Sequence, residues 1–221
     1  MSICVLFDLD ETLFDRTQTL KRFLATQFMR FEDVLGDVDC ETWVERFVVM
    51  DARGATSKRA LYPEILKLYD GHISKSGDLI RDYYERSTSQ AIALAGMDEV
   101  LTTLESRGVP VGIVTNGETD LQTRTLEALG LIEQVPMILI SETFGQKKPA
   151  PEIFHAAARN FGAAPEECLF VGDNPSADIL GAFEVGMQTA WFNPAGGPWP
   201  KDLPPNPGVE LGNLLDVLPL I

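Results

Sequence analysis

Ile3-Cys4-Val5-Leu6-Phe7-Asp8-Leu9-Asp10-Glu11-Thr12 opens as an unbroken apolar run and ends abruptly in acid. A short run without polar alternation is the pattern of a strand buried on both faces, as in a parallel sheet covered by helices. Similar runs recur at residues 109–115, 137–140, 168–172 and 187–192. Between them lie helical patterns at 121–129, 151–161 and 177–185, with apolar residues spaced for one helix face. This alternation predicts an α/β fold, a doubly wound parallel sheet of Rossmann-like type. The Pro- and Gly-rich stretch 193–208 reads as a surface loop, followed by a final helix near 211–218.

One interval breaks the rhythm. From Phe14 to Ala95, roughly 80 residues pass with helical periodicity and no convincing strand, too long for a simple crossover. Segments 19–31, 41–50, 58–69 and 78–89 each read as helices, and a further helix at 98–106 leads into the second apolar run. The expected organisation is an α/β core from residues 1–15 and 96–221, with a small all-helical domain, 16–95, inserted after the first strand.

Composition narrows the partners. Of 221 residues, 45% are hydrophobic and 23% charged, the proportions of an ordinary globular protein. Lys and Arg number 18 against 33 Asp and Glu, a net charge of −15, which repels phosphate backbones and anionic membrane surfaces. A nucleic-acid polymer and a membrane are therefore not expected as partners. A small anionic substrate remains compatible, because a metal ion or a few local cations can reverse the potential inside one cleft. Cys4, Cys40 and Cys168 are widely spaced without a Cys-x-x-Cys pair, and His72 and His155 are the only imidazoles, a poor set for zinc. With no basic leader and no apolar run of about 18 residues, the expected location is the cytoplasm.

In an open parallel sheet, ligands bind at the carboxyl ends of the strands. The residues there are strongly polar: Asp8-Leu9-Asp10-Glu11-Thr12, Thr115-Asn116-Gly117, Lys147-Lys148-Pro149, and Gly172-Asp173-Asn174-Pro175-Ser176-Ala177-Asp178. Asp8 and Asp10, two apart on an extended segment, point the same way. Asn174-Pro175 has the form of an N-cap and first helical residue, which sets Asp178 in the early turns of the next helix. Several carboxylates at one place repel unless a cation joins them, and hard oxygen ligands favour magnesium. The chain lacks a P-loop sequence. Thr115, backbone N–H groups of Asn116 and Gly117, and Lys148 offer another set of donors suited to a phosphoryl group.

In order and spacing, these four segments resemble the four motifs of the haloacid dehalogenase-like superfamily, over nearly the whole chain. Asp8-Leu9-Asp10-Glu11-Thr12 is similar to its Asp-x-Asp-x-Thr signature, Thr115 to its second motif, Lys148 to its third, and Gly172-Asp173 with Asp178 to its acidic fourth. The helical insertion after the first strand resembles the cap of some members. The resemblance implies an aspartyl-phosphate mechanism, with Asp8 as nucleophile and Asp10 as general acid and then general base. Thr115, Asn116 and Lys148 would hold the phosphoryl oxygens. Magnesium would be bound by Asp8, the main-chain carbonyl of Asp10, Asp173 and Asp178, the last directly or through water.

Dehalogenase members lack an acid at the position of Asp10, so the resemblance implies a phosphatase acting on a small phosphomonoester, a nucleotide or sugar phosphate. Asn116-Gly117-Glu118 with Gln122 is similar to the branch holding nucleotide and sugar phosphatases. The alternatives are a phosphomutase of the same superfamily and a non-catalytic phosphate-binding or signalling protein. In the helical insertion, Arg53 and Lys58 flank a basic turn at Arg53-Gly54 and are the candidates for substrate selection. The chain is expected to act as a monomer or homodimer.

Overall fold

The computed structural model describes residues 4–221; Ile3, the expected start of the first strand, lies outside the described residues. The chain divides into two compact units, one comprising residues up to Asp15 together with Ala93–Ile221, the other Arg16–Ile92.

The first unit is built on six parallel strands: β1 (Cys4–Phe7), β2 (Val111–Thr115), β3 (Met137–Ile140), β4 (Cys168–Gly172), β5 (Gln188–Phe192) and β6 (Val209–Leu211). Their order is β3-β2-β1-β4-β5-β6, with Val5 opposite both Val111 and Leu169. Every residue of β1, β2 and β4 is buried, as their unbroken apolar runs require. The winding reverses between β1 and β4, the switch point at which doubly wound sheets bind ligands.

The second unit contains α1 (Arg16–Leu35), α2 (Cys40–Asp51), α3 (Lys58–Leu68) and α4 (Ser76–Arg86). Leu20, Phe23, Leu24, Gln27 and Phe28 form the buried face of α1, at helical spacing. Asp39 caps α2, its Oδ1 accepting the Thr42 N–H at 2.9 Å. Trp43, Phe47, Tyr62 and Tyr83 fill the centre, and the Tyr62 hydroxyl donates to Gln27 Oε1 at 2.6 Å.

Around the sheet run α5 (Met97–Ser106), α6 (Thr119–Ala128), α7 (Leu131–Gln134), α8 (Ser141–Phe144), α9 (Pro151–Asn160) and α10 (Gly181–Glu184). Ile153, Phe154, Ala157 and Ala158 of α9 enter a core cluster with Leu6, Val114 and Phe170. The rings of Phe154 and Phe170 meet edge to face with centroids 5.2 Å apart.

Three details depart from the sequence reading. Residues 93–95 belong to the sheet unit, because Ala93 bridges Phe14 and the Leu94 N–H donates to the Leu13 carbonyl at 2.9 Å. Residues 209–211, at the join between the expected loop and the expected final helix, form a sixth strand parallel to β5, and the terminal helix is a 3-10 helix at Leu214–Leu220. The helix expected at 177–185 is a π turn at Pro175–Leu180 followed by α10.

Candidate active site

The site begins with the reversal after β1. The Asp8 N–H donates to the Val171 carbonyl at 2.9 Å, continuing the β1–β4 ladder and setting its carboxylate at the switch point. The chain then doubles back: the N–H groups of Leu13 and Phe14 donate to the Leu9 carbonyl at 3.0 and 2.9 Å, and Glu11 takes a left-handed φ of 60°. Leu9 and Leu13 are fully buried and anchor this turn. Asp8 is buried at 6% exposure, while Asp10 is half-buried.

Lys148 crosses from the loop before α9. It is 2% exposed, and its Nζ lies 2.6 Å from Asp8 Oδ1, 2.7 Å from Asp178 Oδ1 and 2.7 Å from the Val114 carbonyl. An ammonium has three donors, so each is matched to one protein oxygen. The loop is fixed by Asn116, whose Oδ1 accepts the Lys148 N–H at 2.8 Å and whose Nδ2 donates to the Lys148 carbonyl at 2.9 Å. The Gly117 N–H, expected as a donor to a phosphoryl group, donates instead to Ser141 Oγ at 3.1 Å.

At the end of β4, Asp178 Oδ2 accepts the Asn174 N–H at 2.9 Å, and Asn174 Oδ1 in turn caps Ser176 and Ala177 at 3.1 and 2.9 Å. Gly172 leaves the space that the Asp178 side chain occupies: a Cβ there would fall 2.5 Å from Asp178 Oδ2. The main chain of Asp173 is held by Trp191, whose Nε1 donates to the Asp173 carbonyl at 3.0 Å, and Trp191 packs edge to face on Trp199 of the proline-rich loop.

Among the described residues, Asp8, Asp173 and Asp178 converge, with one ligand oxygen from each within 4.8 Å of the others. Burial pushes the Asp8 carboxyl well above its usual range; Lys148 opposes this, while Asp178, Asp173 and Asp10 add to it. Burial draws Lys148 down, but Asp178 and Asp8 outweigh it and hold the ammonium above its ordinary value. Three aspartates converge beside this one ammonium, an excess of acid over base, and the donor set is all hard oxygen. A divalent cation of the magnesium type fits both the charge and the donors.

Asp10 lies outside that trio. Its Oδ2 accepts from Gln122 Nε2 at 3.3 Å, and the same Nε2 lies 3.2 Å from Thr115 Oγ1 and 3.1 Å from the Asn116 carbonyl. Thr115 is fully buried at the end of β2. The sequence pointed to Gln122 only through its likeness to the nucleotide and sugar phosphatase branch; its position seven residues after Thr115, the fourth residue of α6, was the available signal.

Arg53 and Lys58 belong to the helical unit. Arg53 is exposed on a 3-10 turn in which Ala52, Arg53 and Gly54 all have positive φ. Lys58, expected beside it as a candidate for substrate selection, is 6% exposed and paired with Asp51 and the Thr56 carbonyl. Asp51 also binds Arg16 at 2.7 Å and accepts the Gly54 N–H at 2.8 Å. Burial raises the Asp51 carboxyl, but Arg16 and Lys58 outweigh it and hold it below its usual range. Lys58 therefore acts as a structural cation of the helical unit.

Comparison with known proteins agrees with this geometry. A family model described as haloacid dehalogenase-like hydrolase matches residues 5–192. The ribulose-1,5-bisphosphate 5-phosphatase of Halopiger xanaduensis is 33% identical over 207 residues, covering 88% of this chain and 86% of its own. The glyceraldehyde 3-phosphate phosphatase of Pyrococcus abyssi is 30% identical over 193 residues, 85% of this chain and 80% of its own. Among solved structures, the HAD-hydrolase YfnB from Bacillus subtilis, bound to magnesium, shares the fold with a TM-score of 0.79 at 23% identity, covering 99% of this chain and 98% of that one. With a buried aspartate at the switch point, a lysine on it and two further acids beside it, the chain belongs to the haloacid dehalogenase-like hydrolase family, in its phosphatase branch.

Proposed function

We propose that the protein is a magnesium-dependent phosphatase that hydrolyses a small phosphomonoester, a nucleotide or sugar phosphate, through an aspartyl-phosphate on Asp8. The observation that carries this reading is the buried Asp8 carboxylate held by Lys148 at 2.6 Å and flanked by Asp173 and Asp178. In the first step Asp8 oxygen bonds to phosphorus while the ester P–O bond breaks, and Asp10 gives its proton to the leaving oxygen. In the second, water oxygen bonds to phosphorus, Asp10 takes the proton from that water, and the Asp8–phosphorus bond breaks to release inorganic phosphate. Thr115 and the Asn116 main-chain N–H donate to the phosphoryl oxygens, while Lys148 holds Asp8 and supplies positive charge beside them. Asp8, the Asp10 carbonyl, Asp173 and Asp178 would hold magnesium, which when bound supplies charge neutralisation to the phosphoryl group.

In this reading the sheet unit is the catalytic core and the helical unit is a cap that selects among phosphomonoesters, with exposed Arg53 its candidate residue. The relatives named for ribulose bisphosphate and glyceraldehyde 3-phosphate phosphatases support a small phosphorylated metabolite as substrate. No helix among the described residues is long and apolar enough to cross a membrane, and three free thiols accord with the cytoplasm.

The test is phosphate release from a panel of nucleoside monophosphates and sugar phosphates, with magnesium or with chelator, for wild type and Asp8→Asn. Release that needs both magnesium and Asp8 supports the reading. Undiminished release by Asp8→Asn overturns it.

A further inference from the structure

The geometry points to Gln122 as a positioning residue that aims the acid–base carboxylate Asp10 and the phosphate-binding hydroxyl of Thr115 together. The inference rests on the reading of Asp10 as proton donor and acceptor given above.

Gln122 is 5% exposed, and its Nε2 faces three oxygens: Asp10 Oδ2 at 3.3 Å, Thr115 Oγ1 at 3.2 Å and the Asn116 carbonyl at 3.1 Å. A carbonyl can only accept, and an ionised carboxylate likewise, so the amide must present its NH2 and not its oxygen to this group. The orientation of the side chain is thereby determined by its neighbours.

The two N–H groups of the amide are shared among these three acceptors, so Asp10 Oδ2 and Thr115 Oγ1 both face its donor side. A Thr115 Oγ1 that accepts from Gln122 keeps its own hydroxyl proton for a phosphoryl oxygen. One amide therefore links the acid–base residue after β1 to the phosphate donor after β2.

A second feature supports a built position. A Cβ on Gly117 would lie 2.5 Å from Gln122 Nε2 and 2.8 Å from its Cγ, so the amide reaches its three partners across a residue that has no side chain. Any larger residue at 117 would have to displace it.

The discriminating readout is the leaving group. A phosphomonoester with a poor, alkoxide leaving group needs the Asp10 proton in the first step, whereas p-nitrophenyl phosphate, with an acidic phenol, needs it far less. For Gln122→Leu, kcat/KM on an alkyl phosphate selected from the substrate panel should fall about 30-fold or more, and on p-nitrophenyl phosphate about threefold or less. KM for the alkyl ester should change less than kcat. Gly117→Ala, which keeps Gln122 but crowds its amide, should show the same split in weaker form, and Gln122→Leu should retain the wild-type unfolding midpoint.

Equal loss on both substrates would mean a structural role and overturn the proposal, as would unchanged kinetics in Gln122→Leu. Should Gln122→Leu fail to fold, the Gly117→Ala split decides the matter alone. Wild-type activity without dependence on Asp10, read from Asp10→Asn on the same two substrates, would overturn the underlying acid–base reading. A wild-type Asp10 dependence with no Gln122 or Gly117 split overturns only the positioning role.

Discussion

Gly172→Ala is a small change whose effect can be worked from the site. The new Cβ would lie 2.5 Å from Asp178 Oδ2 and 2.6 Å from its Cβ and Cγ. Ordinary contact between such atoms is about 3.5 Å, so the aspartate must retreat by about 1 Å. Asp178 has little freedom to do so, being 1% exposed with Oδ1 on Lys148 at 2.7 Å and Oδ2 on the Asn174 N–H at 2.9 Å. A retreat of that size takes one of these contacts beyond hydrogen-bonding distance and draws Lys148 off its position 2.6 Å from Asp8. Overpacking of this kind costs about 1–3 kcal/mol of stability. A displacement of about 1 Å at a reacting group costs on the order of a hundredfold in rate. The assay is phosphate release together with urea unfolding, with Gly212→Ala as the control because a Cβ there meets nothing within 4 Å. A Gly172→Ala protein with the control's turnover and unfolding midpoint would refute the claim that Asp178 positions Lys148 on Asp8.

Two further changes probe the surroundings. Asp51→Ala leaves the buried Lys58 without its carboxylate and removes the partner of the partly buried Arg16, so urea unfolding at neutral pH should show a loss of about 3–5 kcal/mol. Because Arg16 and Lys58 hold the folded-state Asp51 below its ordinary value of 3.8, its contribution is complete above that value and is lost as pH falls through the folded-state value. The gap between wild type and Asp51→Ala should therefore narrow only in strong acid, and a gap that already closes near pH 6 would contradict the pairing. Trp191→Phe keeps a ring against Trp199 but removes the donor to the Asp173 carbonyl, so half-maximal activity should need about tenfold more magnesium. An unchanged magnesium titration would show that the indole does not orient Asp173.

The sheet was legible because burial on both faces forces unbroken apolar runs, and each run ends where polar residues begin. The polar residues at those ends were legible for the same reason, since Asp8, Thr115 and Asp173 stand at or just after the ends of apolar segments where nothing else requires polarity. β6 escaped because Val209-Glu210-Leu211 is three residues long, follows a proline-rich loop and alternates like an edge. The burial of Lys58 was not legible because it depends on Asp51, seven residues earlier, and on the pair's position within the packed helices. Gln122 was passed over because an uncharged amide gives no signal of its own; its meaning lies in three oxygens brought to it from two strand ends. The Gly117 N–H was read as a phosphate donor, yet it is committed to Ser141, and the Asn116 side chain clamps the Lys148 backbone, pairings that only the folded loops create.

The most direct test of the central claim is to find the covalent intermediate. Wild-type protein mixed with magnesium and its best phosphomonoester is quenched in acid during turnover, digested, and the peptide bearing Asp8 is analysed by fragmentation mass spectrometry. The proposed mechanism predicts a phosphoryl group on Asp8, in greater amount in Asp10→Asn when p-nitrophenyl phosphate is the substrate, because its first step needs the Asp10 proton far less while the second step lacks its base. Rapid phosphate release with Asp8 unmodified in both proteins, or with the phosphoryl group on another residue, would contradict it.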